Sequence, residues 1–287
     1  LDGDFGDQLS AANLYFLMQR RQVDVIPDSL SYTDKDISFI LSNGDETMAL
    51  HFTPYLNHNE KLTDVYYRPL GSDMKSAVGI EWETSDNNAN CITVYSITSD
   101  IANTVPQLGN VYGRFKILKG KPDWLLDFHL HYVGSAAEHG VKQRLLNPHH
   151  IIERLACTAD VYRSGAKIGF ELCALPLRAE VHFGFNNIES SDDLIYKSEF
   201  TPDQSAHEVE KALIKGLKPK ENVDGTSYSN YPKQSKLALP ESVKHIGVGL
   251  KSSYTLHTDS ITWMGSSCLK SSNFILVDRE ELNCKII

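Results

Sequence analysis

The densest chemistry in the chain lies in the stretch DFHLHYVGSAAEHG, residues 127–140, which places His129, His131, Glu138 and His139 close together. Residues two apart on a strand share a face, so His129 and His131 would project together while Phe128, Leu130 and Tyr132 pack behind them. Two imidazoles so placed can share one cation, with nitrogen–zinc distances of about 2.0–2.1 Å. They can equally be polar residues on the outer face of a strand, and H-x-H alone does not separate the two.

The elements expected to hold these residues are mostly strands, short runs bounded by Gly, Asn, Asp and Pro. DISFIL and TMALHF flank Asn43-Gly44, a dipeptide that tolerates positive φ and suits a hairpin. AVGIEWET and CITVYSIT flank Asp86-Asn87-Asn88 in the same way. Further strands are expected at VYGRFKIL, LLDFHLHYV, ACTADVYR, KIGFELCAL, AEVHFGF, SITWMG and NFILVD. Two helices are expected against this background. One spans Leu9 to Gln22. The other opens at Thr201-Pro202-Asp203-Gln204, with Thr201 as cap, Pro202 at the first helical position and Gln204 closing a capping box. Its apolar residues Val209, Ala212, Leu213 and Leu217 recur at helical spacing, and Gly216 is expected to mark its end. Residues 218–236 read as a long polar surface loop.

At 287 residues with 41% hydrophobic content the chain can bury a substantial core. Its formal charge of -9 argues against a general nucleic-acid or anionic-lipid surface and leaves room only for a local basic patch. No run approaches the 18 apolar residues of a membrane span, and the first residues, LDGDFGDQLS, lack a signal-peptide pattern. A start at Leu is expected to reflect trimming of a precursor. The five cysteines, Cys91, Cys157, Cys173, Cys268 and Cys284, are widely spaced without a CxxC pair, which disfavours a zinc ribbon or a disulfide-dense scaffold. There is no N-x-S/T sequon, no P-loop and no dinucleotide fingerprint, and GSSC at 265–268 has no placed His/Asp pair.

Several stretches, in order along the chain, resemble the α-carbonic anhydrase family. QVDVI (22–26) and LSYTDKDISFILSNGDETMALHF (30–52) resemble its early strand pair, and FHLHYVGSAAEHGV resembles its FHFHWG…SEHTV segment. GAKIGFEL with the helix HEVEKALIKGL resembles a later strand and helix, and LPESVKHIGVGLKSSYTLHTDSITW (239–263) resembles the segment that ends in its TW. The resemblance implies a mostly β fold with peripheral helices around a central twisted, largely antiparallel sheet. It implies a single domain over 1–287, with insertions at about 53–114 and 176–200 that are candidates for a surface binding a protein or complex partner. Members of that family are often secreted, surface-bound or organellar.

By the same resemblance His129 and His131 match the first two zinc ligands, Glu138 matches the glutamate that orients a threonine hydroxyl, and His139 gives support. Thr255 or Ser253 stands where that threonine should be. The third ligand should lie on the strand ERLACTADVYR (153–163), which has no histidine; the position falls on Leu155, Ala156 or Cys157, of which only Cys157 could bind zinc. His149 and His150 lie in a Pro-marked loop outside the pattern, either as surface or turn histidines or as an alternative source of the third ligand. Asp45 occupies the proton-shuttle position, where an aspartate is poorly matched to neutral pH. Lys167 intrudes on an apolar pocket position, and Asp127 could orient His129. The expectation is a carbonic anhydrase-like protein that has lost hydratase activity and serves as a binding or assembly module. The alternatives are an active zinc carbonate dehydratase with an unusual third ligand, and an unrelated β-sandwich binding or structural protein.

Overall fold

The computed structural model describes residues 14–69, 77–101, 113–135, 170–177, 182–185, 195–196, 202–222, 231, 239–249, 253–266, 273–281 and 283–287. Along the chain the first strands are β1 (Leu14–Arg21), β2 (Asp24–Val25), β3 (Ser31–Tyr32), β4 (Ile37–Ser42), β5 (Thr47–Pro54), β6 (Leu62–Pro69), β7 (Ala77–Thr84) and β8 (Ala89–Thr93). Helix α1 (Val94–Ile101) precedes β9 (Gly113–Lys119), β10 (Asp127–Ser135), β11 (Phe170–Leu177), β12 (His182–Gly184) and β13 (Ile195–Tyr196). Helix α2 (Pro202–Leu217) is followed by β14 (His245–Gly249), β15 (Thr255–His257), β16 (Thr262–Met264), β17 (Phe274–Asp278) and β18 (Cys284–Ile286). The protein is mostly β, with several antiparallel sheets and few helices.

Among the described residues, 14–20, 127–135 and those from 172 onward form one compact unit, and 21–126 with 170–171 form the other. The first contains a sheet of order β11-β1-β10-β15-β16 and a second of order β13-β12-β14-β17-β18. Helix α2 packs on β10 of one sheet and on β14, β17 and β18 of the other. Its Val209, Ala212, Leu213 and Leu217 are buried, as the helical spacing predicts. The helix starts at Pro202, whereas Thr201 and the capping box with Gln204 lie outside what is described.

The second unit contains the sheet β2-β4-β5-β9, with β3 paired to β4, and the sheet β6-β7-β8. Strands β4 and β5 alternate between buried and open positions, the pattern of a sheet with one face on a core. Ile37, Phe39, Leu41, Met48, Leu50 and Phe52 share that core with Ile80 and Trp82 of the other sheet. Phe52 stacks on Phe115 at 4.7 Å and meets Trp82 edge-on at 5.4 Å. The β4–β5 hairpin turns at Asn43-Gly44 as expected, with Gly44 at φ 92° and Asn43 Oδ1 accepting from the Asp45 and Glu46 N–H groups. The region 53–114 supplies β6, β7, β8 and α1, and most of its buried apolar residues belong to this same core.

Three expectations are corrected. Within the expected helix of Leu9 to Gln22, residues Leu14–Arg21 form strand β1, which lies between β10 and β11. Leu14 to Arg20 are all buried, and such a run has no alternation to distinguish it from a buried helix. In CITVYSIT the strand stops at Thr93, whose hydroxyl accepts from the Ser96 N–H and starts α1. Gly216 does not end α2: the helix continues to Leu217, and Lys218 takes the left-handed turn at φ 52°. Gly216 is needed for close packing instead, because a Cβ there would lie 2.6 Å from Ile275 Cγ2.

Candidate functional site: a histidine face on β10

Strand β10 runs antiparallel to β1 and parallel to β15. Its ladder with β1 is interrupted at one place: Leu17 pairs with Tyr132 and Met18 with Leu130, so His131 is the extra residue of a bulge. Bulges re-aim side chains, and this one lies beside a register pair, Gln19 with His129, that brings a polar side chain to the histidines. The His129 and His131 rings lie 4.7 Å apart, tilted by 54°. Phe128 and Leu130 are buried behind them, and Arg20 stacks its guanidinium 4.9 Å over the Phe128 ring.

The parallel ladder to β15 is short, pairing Asp127 with Thr255, Phe128 with Leu256 and His129 with His257. It brings Thr255, a residue singled out in the sequence, alongside the histidine strand. It also brings in two that were not foreseen. His257 Nε2 is 2.6 Å from Asp127 Oδ1, and its Nδ1 is 2.8 Å from the Thr262 hydroxyl, so both ring nitrogens have partners. Asp259 Oδ1 lies 3.9 Å from His129 Nε2. Asp127 was expected to orient His129; its carboxylate pairs with His257 instead.

His131 is 1% exposed, and its Nε2 is 3.0 Å from Gln19 Oε1. With that amide oxygen as acceptor, Nε2 carries the proton and Nδ1 carries a lone pair. Nδ1 is buried without a hydrogen-bond partner. Burial pushes the His131 pKa down to about 4, helped by the neighbouring His129 and Lys220 charges. Burial lowers His129 as well, partly offset by Asp259. Both imidazoles are therefore neutral near pH 7, the form that ligates metals. His131 is correspondingly too weak a base for proton transfer at that pH.

Beyond the short ladder, β10 is completed by side chains. Asn222 accepts from the Val133 N–H at 2.7 Å and donates to the Val133 carbonyl at 2.8 Å, as a neighbouring strand would. Glu210 of α2 accepts from both the N–H and the hydroxyl of Ser135. Of the residues named from the sequence, His129, His131 and Thr255 come together. Glu138, His139, His149, His150, Cys157 and Lys167 lie outside the described residues. Asp45 is in the β4–β5 turn, ion-paired with Arg21. Ser31 to Phe52 build β3, β4 and β5 of the second unit's sheet and do not pair with β10. Among the described residues no group of three or more His, Cys, Asp or Glu side chains is placed to hold a metal ion. The two imidazoles and the orphan Nδ1 fit part of a zinc site, but the described residues do not complete one.

Gln19 was missed because its strand reads as a helix, and Asn222 because nothing local marks a side chain that substitutes for a strand. His257 had a signal: in YTLHT it stands two residues from Thr255, on the same strand face. No family model, no curated protein and no solved structure matches the chain. Among the described residues no helix is long and apolar enough to cross a membrane.

Proposed function

We propose that the chain is a carbonic anhydrase-like binding or assembly module without hydratase activity. The observation that carries this reading is the sequence of the strand expected to supply the third ligand, residues 153–163, which holds no histidine. His257, the further imidazole that β15 brings beside His129, has both ring nitrogens engaged, by Asp127 and Thr262. A hydratase of that family needs three imidazole lone pairs on zinc and an open fourth position for water. Partner contact through the extra segment 53–114 belongs to the same reading.

A second reading is a zinc carbonate dehydratase that takes His129 and His131 as ligands, with Cys157 or a loop histidine, His149 or His150, as the third. It is favoured by the buried, unpartnered Nδ1 of His131. Metal analysis of the purified chain combined with a carbon dioxide hydration assay separates the two. The binding-module reading expects no stoichiometric zinc and no hydration above the uncatalysed rate. One zinc per chain, with hydration abolished by His129→Ala, would overturn it, and Cys157→Ser, His149→Ala and His150→Ala would then identify the third ligand.

A further inference from the structure

Strand β9 lies at the end of the sheet β2-β4-β5-β9, and its sequence GRFKILK leads into Gly120 and Lys121. In a chain of net charge -9, it gathers four cations within eight residues, 114–121. Strict alternation along β9 would put Arg114 and Lys116 on one face and Lys119 on the other. The register says otherwise. Arg114 pairs with Thr53, Lys116 with His51 and Ile117 with Leu50, and then Lys119 pairs with Ala49, so Leu118 is the extra residue of a bulge.

That one extra residue resets the phase. Paired residues on neighbouring antiparallel strands share a face, and Thr53, His51 and Ala49 all lie on the open face of β5, whereas Met48, Leu50 and Phe52 are buried. Arg114, Lys116 and Lys119 therefore line one open face at the sheet edge. Among the described residues Lys116, Lys119 and Lys121 have no ion-pair partner, and Arg114 meets only the exposed Tyr55, its Nε 3.5 Å from the hydroxyl. Asp36, whose carboxylate meets the β5 residues paired with Arg114 and Lys116, is already engaged by the Thr53 hydroxyl at 2.7 Å and by His51 at 3.3 Å. Leu118 is 54% exposed beside the row.

We propose that β9 is an addition edge for an extended, acidic segment of a partner polypeptide. An edge strand presents a row of backbone donors and acceptors, and a strand added there places alternate side chains about 6.6–6.8 Å apart on one face. Acidic residues at alternate positions of the incoming strand would lie against Arg114, Lys116 and Lys119, and its apolar positions against Leu118. Lysines on an edge also deter pairing between like edges, so the same row that repels a second β9 selects an acidic strand. The inference concerns the second unit alone and stands without the carbonic anhydrase-like reading.

The test is fluorescence anisotropy of the full chain with a labelled peptide of alternating Glu and Thr. The controls are the same peptide N-methylated at alternate residues, and heparin. Saturable binding that weakens with salt, falls about tenfold or more in R114S/K116S/K119S, and is lost on N-methylation is expected. Equal binding of the N-methylated peptide, binding of heparin but not of the peptide, or full affinity in the triple variant would each overturn the proposal. The three positions are exposed, so the triple variant keeps the fold; its circular dichroism and urea midpoint are checked alongside.

Discussion

His131 and Gln19, 112 residues apart in sequence, are joined by a 3.0 Å contact between the imidazole Nε2 and the amide oxygen, in the buried interior of the first unit. Removing the amide leaves both nitrogens of a buried ring without a partner. Gln19→Leu is therefore expected to cost about 1–3 kcal/mol, because an unsatisfied buried polar group costs more than its hydrogen bond contributes. The double variant Gln19→Leu/His131→Leu removes both polar groups and should recover most of that loss. Urea midpoints of the two single variants and the double variant give the coupling directly. Additive costs would mean that the contact contributes nothing.

The same histidine makes stability depend on pH in a defined window. Its folded pKa of about 4 lies below the 6.5 of a free imidazole, so between these values the unfolded chain binds the extra proton. Its contribution is fully present above about pH 6.5 and is lost as pH falls from 6.5 towards 4. His129, lowered for the same reason, adds in the same direction. Glu60 acts further down: the Thr84 hydroxyl, the Asn57 N–H and the Asn88 amide hold its carboxyl below the usual 4.5. Its contribution is present above 4.5 and is lost only as pH falls through its lowered pKa. Urea midpoints of His131→Leu should be flatter than the parent's between pH 7.5 and 5 yet still fall below 4.5. An unchanged slope in the upper window would refute the assignment.

What was legible in the sequence was whatever a few neighbouring residues determine. Asn43-Gly44 fixes a hairpin because positive φ is a local requirement, and the apolar spacing of α2 fixes its buried side. The open-and-buried alternation of β4 and β5 is legible for the same reason. Strand β1 was not legible, because burial on both faces removes the alternation that marks a strand. The site suffered most from this, since Gln19 sits on that strand and reaches His131 only through long-range register. Bulges are equally silent: nothing in FHLHYV or FKILK announces that His131 or Leu118 is the residue without an opposite number. Each nonetheless decides which side chains share a face.

Gly216 offers a case in which helix propensity and packing oppose each other. Alanine is favoured over glycine within a helix by about 1 kcal/mol. Here its Cβ would fall 2.6 Å from Cγ2 of the fully buried Ile275, a methyl that cannot move without turning the whole side chain. Overpacking of this kind costs about 1–3 kcal/mol, so Gly216→Ala should lower the urea midpoint. Two residues on, Lys218 holds a left-handed φ of 52° at the helix end, where glycine fits without strain. Lys218→Gly should raise the midpoint by the equivalent of about 0.5 kcal/mol, the strain of that conformation less the extra entropy of glycine in the unfolded chain. Opposite signs from two substitutions at one helix end would show that close approach, not chain reversal, keeps the glycine.

Asn222 tests whether a side chain can stand in for a strand. Its amide satisfies both the N–H and the carbonyl of Val133. Asn222→Ala removes two partly buried hydrogen bonds, an expected loss of about 1–3 kcal/mol. Asn222→Asp has the same shape and keeps the acceptor for the N–H, but it replaces the donor with a second oxygen facing the Val133 carbonyl. It should be at least as destabilising as alanine above the carboxyl pKa. Amide exchange separates the two variants. The Val133 N–H should lose protection in the alanine variant and retain it in the aspartate variant, because only the latter still offers an acceptor. Retained protection in both would mean that solvent or another group, and not Asn222, completes the edge of β10.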